Sequence, residues 1–418
     1  MSGGISTIGP AEIKALRRLL VDARADQITR VVAMIDSLPE RGEADDLLTP
    51  FRARLAEINP PRPLNFARLL FIPIDPLIVP GPRWRRGTLG VTRTVLTPLA
   101  RHVGRALAED ATAIEAMIAG RSVADRTVIH AAGAKLWPAA SRVLTSASPP
   151  PDWQDATGLP ASDHAAIAGA IATLLAQAVP IQRLVDGLSG GEAPDDAEMA
   201  LRAILASAAE RGSQALAVMI ALLMNRLPGF ARLPELAREI AAAAQDKDGR
   251  MAAERATEHT LESLANSPAI ALAANGTGGL AHAAEIIAHA TTLLTGLAEQ
   301  SAARPDRQIL IDELRRSIDR ACRDSFTLLL ERHLLAPLVS LATVDDDTIT
   351  GLEAVARDLR AFEQASRQAG SGELYDRILR DAGKRIAATS LPRIDRMRLV
   401  EILNNSDTAL ALLGARPS

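Results

Sequence analysis

Apolar residues recur every three to four positions along almost the whole chain, the spacing of amphipathic helices. Ile13, Leu16, Leu20 and Ala23 form one stripe, continued with a small shift by Ile28, Val31, Ile35 and Leu38 until Pro39 stops it. Gly9-Pro10 opens that helix, with Pro in the tolerated first turn. A second helix, roughly Ala44 to Ile58, completes a hairpin that Asn59-Pro60-Pro61 ends.

The same pattern predicts helices over about 94–119, 161–187, 195–226, 231–245, 248–265, 279–301, 306–335, 373–388 and 392–412. Ser122-Val-Ala-Asp125 is a start signal of the capping-box kind for a helix that ends before the linker Ser146–Gly158. Ser267-Pro268 starts a short helix and Asn275-Gly276 stops it. Thr350 and Glu353 have capping-box spacing for a helix to about Ala369, which Gly370-Ser-Gly372 breaks. Strand-like alternation never persists. The expected fold is all-α, a multi-helix array or tandem helical bundles of about twelve to fourteen helices. Three regions are expected: a helical hairpin with an irregular arm (1–93), a middle helical region (94–303) and a C-terminal bundle (304–418).

The arm interrupts the pattern. From Pro60 to Arg86 the chain reads PPRPLNFARLLFIPIDPLIVPGPRWRR, and its prolines forbid a long helix. A short helical turn fits Asn65–Leu70, and Phe71 to Val79 is expected to be extended or irregular.

Composition narrows the class. The chain of 418 residues is 48% hydrophobic and 23% charged with a net charge of −3, values of an ordinary soluble protein. Aromatics make up only 2%, so the core must come from Ala, Leu, Ile and Val, which suits close-packed helices. Lysine occurs only at Lys14, Lys135, Lys247 and Lys384, against a large excess of arginine, a bias of bacterial chains rich in alanine. A single cysteine, Cys322, excludes an intramolecular disulfide and a multi-Cys metal site. The N-terminal residues lack the pattern of a signal peptide. The longest dense apolar run, Ala215 to Met224, is far short of the ~20 residues of a membrane span. The expected location is the cytoplasm.

Candidate chemistry concentrates in the arm. Between Arg62 and Arg105 stand eight arginines (62, 68, 83, 85, 86, 93, 101, 105) against one acid, Asp75. Apolar anchors with a basic rim fit a protein partner. The expected partner-binding residues are Phe66, Phe71, Ile74, Leu77, Trp84, Arg83, Arg85 and Arg86. Alanine at Phe71, Leu77 and Trp84 would then remove binding and leave the fold intact. A membrane reading places Phe and Trp at the interface with Arg on anionic headgroups. Nucleic acid is not expected, since the net charge is slightly negative and no nucleic-acid motif occurs.

Two His-x-x-Glu elements form a second candidate. His259 and Glu262 share one helix, and His282, Glu285 and His289 share another, each set on one face. Facing helices of this kind can hold a metal pair, though the order is the reverse of the usual Glu-x-x-His. Asn275-Gly-Thr-Gly-Gly279 precedes a helix but lacks the strand and spacing of a nucleotide loop, so no cofactor is expected. Cys322 lies on an apolar stripe with Ile311, Leu314, Ile318 and Leu329, a buried structural thiol. The expected function is a non-enzymatic bacterial scaffold or adaptor that binds a protein through the arm, with a metal-dependent helical-bundle enzyme and a peripheral membrane protein as alternatives. Ala-rich faces also suit a homo-oligomer.

Overall fold

A computed structural model describes residues 63–413, apart from 80, 82–83, 147, 190–193, 228–231, 244–246, 277–278, 303, 341–344 and 371. The expected hairpin over 10–58 lies outside the described residues. What is described is an all-α multi-helix protein with almost no strand. The chain divides into two compact units, one holding Pro61–Ser263 and the other Leu264–Ser418. The expected middle region, 94–303, spans that division, and the arm packs into the unit that follows it in sequence rather than decorating it.

In the first unit, α1 (Phe66–Phe71) leads through a 3-10 segment (Ile72–Leu77) into β1 (Ile78–Val79). Then come β2 (Val91–Thr92), α2 (Leu96–Ala106), α3 (Ala108–Ile118), α4 (Arg126–Ser146) and α5 (Trp153–Thr157). The unit closes with α6 (Ala161–Ala176), α7 (Ala178–Ser189), α8 (Pro194–Ala209), α9 (Ser213–Arg226), α10 (Leu233–Ala243) and α11 (Lys247–Ala265). Helix α9 is apolar on all sides, and every residue from Ala215 to Met224 is buried. A helix without a polar face must be surrounded by others. Around it pack α6, α8, α10 and the 3-10 segment.

Several expected long helices are broken, each for a local reason. The 161–187 helix splits at Gln177 because Pro180 has no N–H and its ring crowds the carbonyl one turn back. The two halves bend by 47°. The 195–226 helix splits at Gly212, whose φ of 103° is open to glycine and to few other residues. The segment 94–119 breaks at Leu107 between α2 and α3. Before α4, the Ser122 amide donates to Asp125 Oδ2 at 2.7 Å, the reciprocal half of a capping box.

The second unit comprises α12 (Pro268–Ala274), α13 (Leu280–Gln300), α14 (Pro305–Leu330), a π-helical turn (Glu331–Leu335) and α15 (Ala336–Ser340). It continues with α16 (Asp346–Arg367), α17 (Gly372–Ala387), α18 (Arg393–Leu403) and α19 (Ser406–Leu413). Helix α16 packs along α13, and α18 packs on α16, α17 and α19. The N-cap of α16 is Asp345, which accepts from the Thr348 amide at 2.8 Å. The expected cap, Thr350, lies inside the helix and bonds back to the Asp346 carbonyl. An aspartate that reaches the third amide at the helix start provides a charged acceptor there and leaves Thr350 no terminal role. Phe326 stacks parallel to Phe362 at 6.3 Å and meets Tyr375 edge-on at 5.2 Å, joining α14, α16 and α17 through the few aromatics available.

Candidate functional site

The arm divides into an apolar half and a basic half with opposite fates. Asn65 caps α1 by accepting from the Arg68 amide at 2.8 Å. Phe66, Leu69, Leu70 and Phe71 of that helix are buried, and so are Ile74 and Leu77 of the 3-10 segment. The helix packs on α2, α3 and α4, and the 3-10 segment packs on α6 and α9.

The prolines create the need for these neighbours. Residue 73 would supply the amide that bonds the Leu69 carbonyl in a continuing helix, but Pro73 has none. The indole N–H of Trp137 on α4 donates to that carbonyl at 2.9 Å. Pro76 likewise denies Ile72 its helical donor, and the Arg226 guanidinium at the end of α9 bonds the Ile72 carbonyl. Burial holds Arg226 below the usual arginine range, and the nearby Asp75 carboxylate opposes that effect. The apolar half of the arm is therefore built into the core. Phe66, Phe71, Ile74 and Leu77 are not the partner anchors expected above, because buried side chains offer a partner no surface on the folded unit.

The basic half is outside. Strands β1 and β2 pair in parallel, Ile78 with Val91 and Val79 with Thr92. Between them, Trp84 is half-buried and donates its indole N–H to the Gly90 carbonyl at 2.9 Å. Thr88 returns to the Arg85 carbonyl through its amide (3.2 Å) and hydroxyl (2.8 Å). Gly87 takes a positive φ of 83° at the turn. Arg85 and Arg86 are exposed. Arg86 forms an ion pair with Asp163 in the first turn of α6, and Arg255 of α11 reaches the Gly87 carbonyl at 3.4 Å. Of the expected partner-binding residues, Trp84, Arg85 and Arg86 thus come together on one anchored loop. Arg83 lies outside the described residues.

The histidine–glutamate set is divided between the two units. His259 and Glu262 belong to the first unit, and His282, Glu285 and His289 to the second. His282 lies 3.6 Å from Glu285 on an exposed face. Burial lowers the pKa of His259 and of His289 below the ordinary imidazole value. Among the described residues, no three His, Cys, Asp or Glu side chains gather closely enough to hold a metal ion. Spacing along a helix aligns side chains on one face but brings no further helix to meet them.

Sequence reasoning missed His164. It is fully buried in α6, meets Trp153 edge-on at 4.7 Å, and neither ring nitrogen has a hydrogen-bond partner among the described residues. Desolvation, with a smaller contribution from His102, lowers its pKa. Its only sequence signal is its place on the apolar face of α6 beside Ile167, Ala168 and Ile171. In the second unit Cys322 is fully buried near Ser366 and Tyr375, and burial pushes its thiol up to about 11. Such a thiol is protonated and inert at neutral pH. An open cleft of about 460 Å³ at the start of α17 is lined by Gly372, Glu373, Leu374 and Arg377.

Comparison with protein families, curated proteins and solved structures found no match to this chain.

Proposed function

We propose that the protein is a non-enzymatic helical adaptor that binds a protein partner through the loop carrying Trp84, Arg85 and Arg86. The observation that supports this reading is the division of the arm. Its apolar half is consumed by the core, while Arg85 and Arg86 are exposed on a loop held by Gly90, Asp163 and Arg255. A loop fixed in this way has little ordering entropy left to lose on binding. No single helix among the described residues is long and apolar enough to cross a membrane. Phe66 and Phe71, the side chains a membrane reading requires at the interface, are buried. We place the adaptor in the bacterial cytoplasm on the arginine- and alanine-rich composition noted above.

Affinity capture from the source cells tests the reading, comparing the wild type with Arg85→Ser/Arg86→Ser. The expected result is a partner retained by the wild type and lost from the variant, both folded by circular dichroism. Equal capture by the two proteins would contradict it.

A further inference from the structure

We propose that the exposed face of α2, formed by Arg101 and Arg105 with Arg93 just before the helix, docks an acidic protein segment. This rests on the adaptor reading and extends its surface beyond the loop. The opposite face of α2 is fixed in the core by Leu99 and Val103. Arg101 and Arg105 are four residues apart, about one helical turn, and both are exposed, as is Arg93. None of the three forms an ion pair with a described residue. Other arginines at helical spacing carry acids with them: Arg357 with Glu353, and Arg360 and Arg367 with the buried Glu363, though among the described residues the exposed Arg316 and Arg320 of α14 do not. On α2 the positive charge is left unanswered, and the sequence from Arg62 to Arg105 supplies only Asp75 as an acid.

The chemistry selects among polyanions. A bilayer contact needs an apolar side chain to insert. Among the described residues, the exposed large apolar side chains, such as Met199, Met251 and Leu328, all lie outside residues 63–105. Single-stranded nucleic acid needs aromatic faces for stacking. The aromatics of this stretch are Phe66 and Phe71, both buried, and Trp84, half-buried with its indole N–H bonded to Gly90. Carboxylates one helical turn apart on a partner match Arg101 and Arg105 directly, and guanidinium–carboxylate pairs can be bidentate.

The test is fluorescence anisotropy of the full chain with a labelled oligo-glutamate peptide at low and high salt. The expected result is salt-sensitive binding, weakened about tenfold or more by Arg101→Glu/Arg105→Glu and also weakened by Arg85→Glu/Arg86→Glu. Arg316→Glu/Arg320→Glu, an exposed pair of the same spacing on α14, should leave it unchanged. Should the α2 reversal lower the melting temperature, Arg101→Gln/Arg105→Gln replaces it and should weaken binding in the same direction. Loss with the loop variant alone would overturn the α2 assignment and leave the adaptor reading standing. Equal loss with the α14 control, or no binding by the wild type, would overturn the proposed surface. Tighter binding of a DNA oligonucleotide or of phosphatidylserine vesicles than of the peptide would overturn the partner class.

Discussion

The indole N–H of Trp137 replaces the backbone donor that Pro73 withholds from Leu69, at 2.9 Å and with both side chains buried. The proline-rich arm can be a core element because the surrounding helices supply such donors. Trp137→Phe keeps an aromatic side chain but removes the donor together with part of the buried indole volume. The Leu69 carbonyl is then buried without it, at a cost of about 1–3 kcal/mol. Urea unfolding followed by circular dichroism should show a lower midpoint at unchanged slope, whereas an unchanged midpoint would mean that another group satisfies the carbonyl.

The same tryptophan depends on Gly133, one turn earlier on α4. A Cβ at residue 133 would lie 2.4 Å from the Trp137 ring. Gly→Ala in a helix interior ordinarily gains ~1 kcal/mol. Here overpacking costs about 1–3 kcal/mol and decides the sign. A thermal melt of Gly133→Ala should lie below that of the wild type, and a higher melting temperature would show that the indole moves aside cheaply.

Acid should weaken the first unit through His164. Burial holds its folded pKa below the unfolded value of about 6.5. The unfolded chain then takes up a proton before the folded one, so this contribution is intact above about pH 6.5 and is lost as pH falls through the folded pKa. His259 and His289 shift in the same direction. Urea midpoints across this pH range should fall on acidification, and fall less steeply for His164→Phe. Parallel profiles for the two proteins would remove His164 from the account.

Cys322 should be silent in the native state. With the thiol buried and held at about 11, a thiol reagent at neutral pH meets almost no thiolate. Reaction with a disulfide reagent should be slow for the folded protein and prompt in denaturant. Prompt reaction without denaturant would place the thiol at an accessible surface.

Helices were legible in the sequence because packing repeats at the helical period, and Asn65 and Gly276 mark a start and a stop where expected. The break at Gln177 was written in Pro180 three residues later, but the apolar stripe runs through it and hides it. The fate of the arm was not legible. Phe71, Ile74 and Leu77 could serve a partner or the core equally well by residue type. What settles it is the all-apolar surface of α9 together with the donors Trp137 and Arg226, which lie far along the chain from the carbonyls they bond. The loop arginines were legible as a cluster, since exposure of charge is the default. Their anchoring by Asp163 and Arg255 depends on chain crossings that no local pattern encodes.

The most direct test of the divided arm is a pair of thermal melts. Phe71→Ala/Leu77→Ala removes two buried side chains, each worth about 2–5 kcal/mol, and should lower the melting temperature strongly or abolish the cooperative transition. Arg85→Ser/Arg86→Ser removes exposed charges and the ion pair of Arg86 with Asp163, worth at most about 1 kcal/mol, and should melt close to the wild type. A core variant that melts with the wild type would contradict the account and return the apolar half of the arm to the surface.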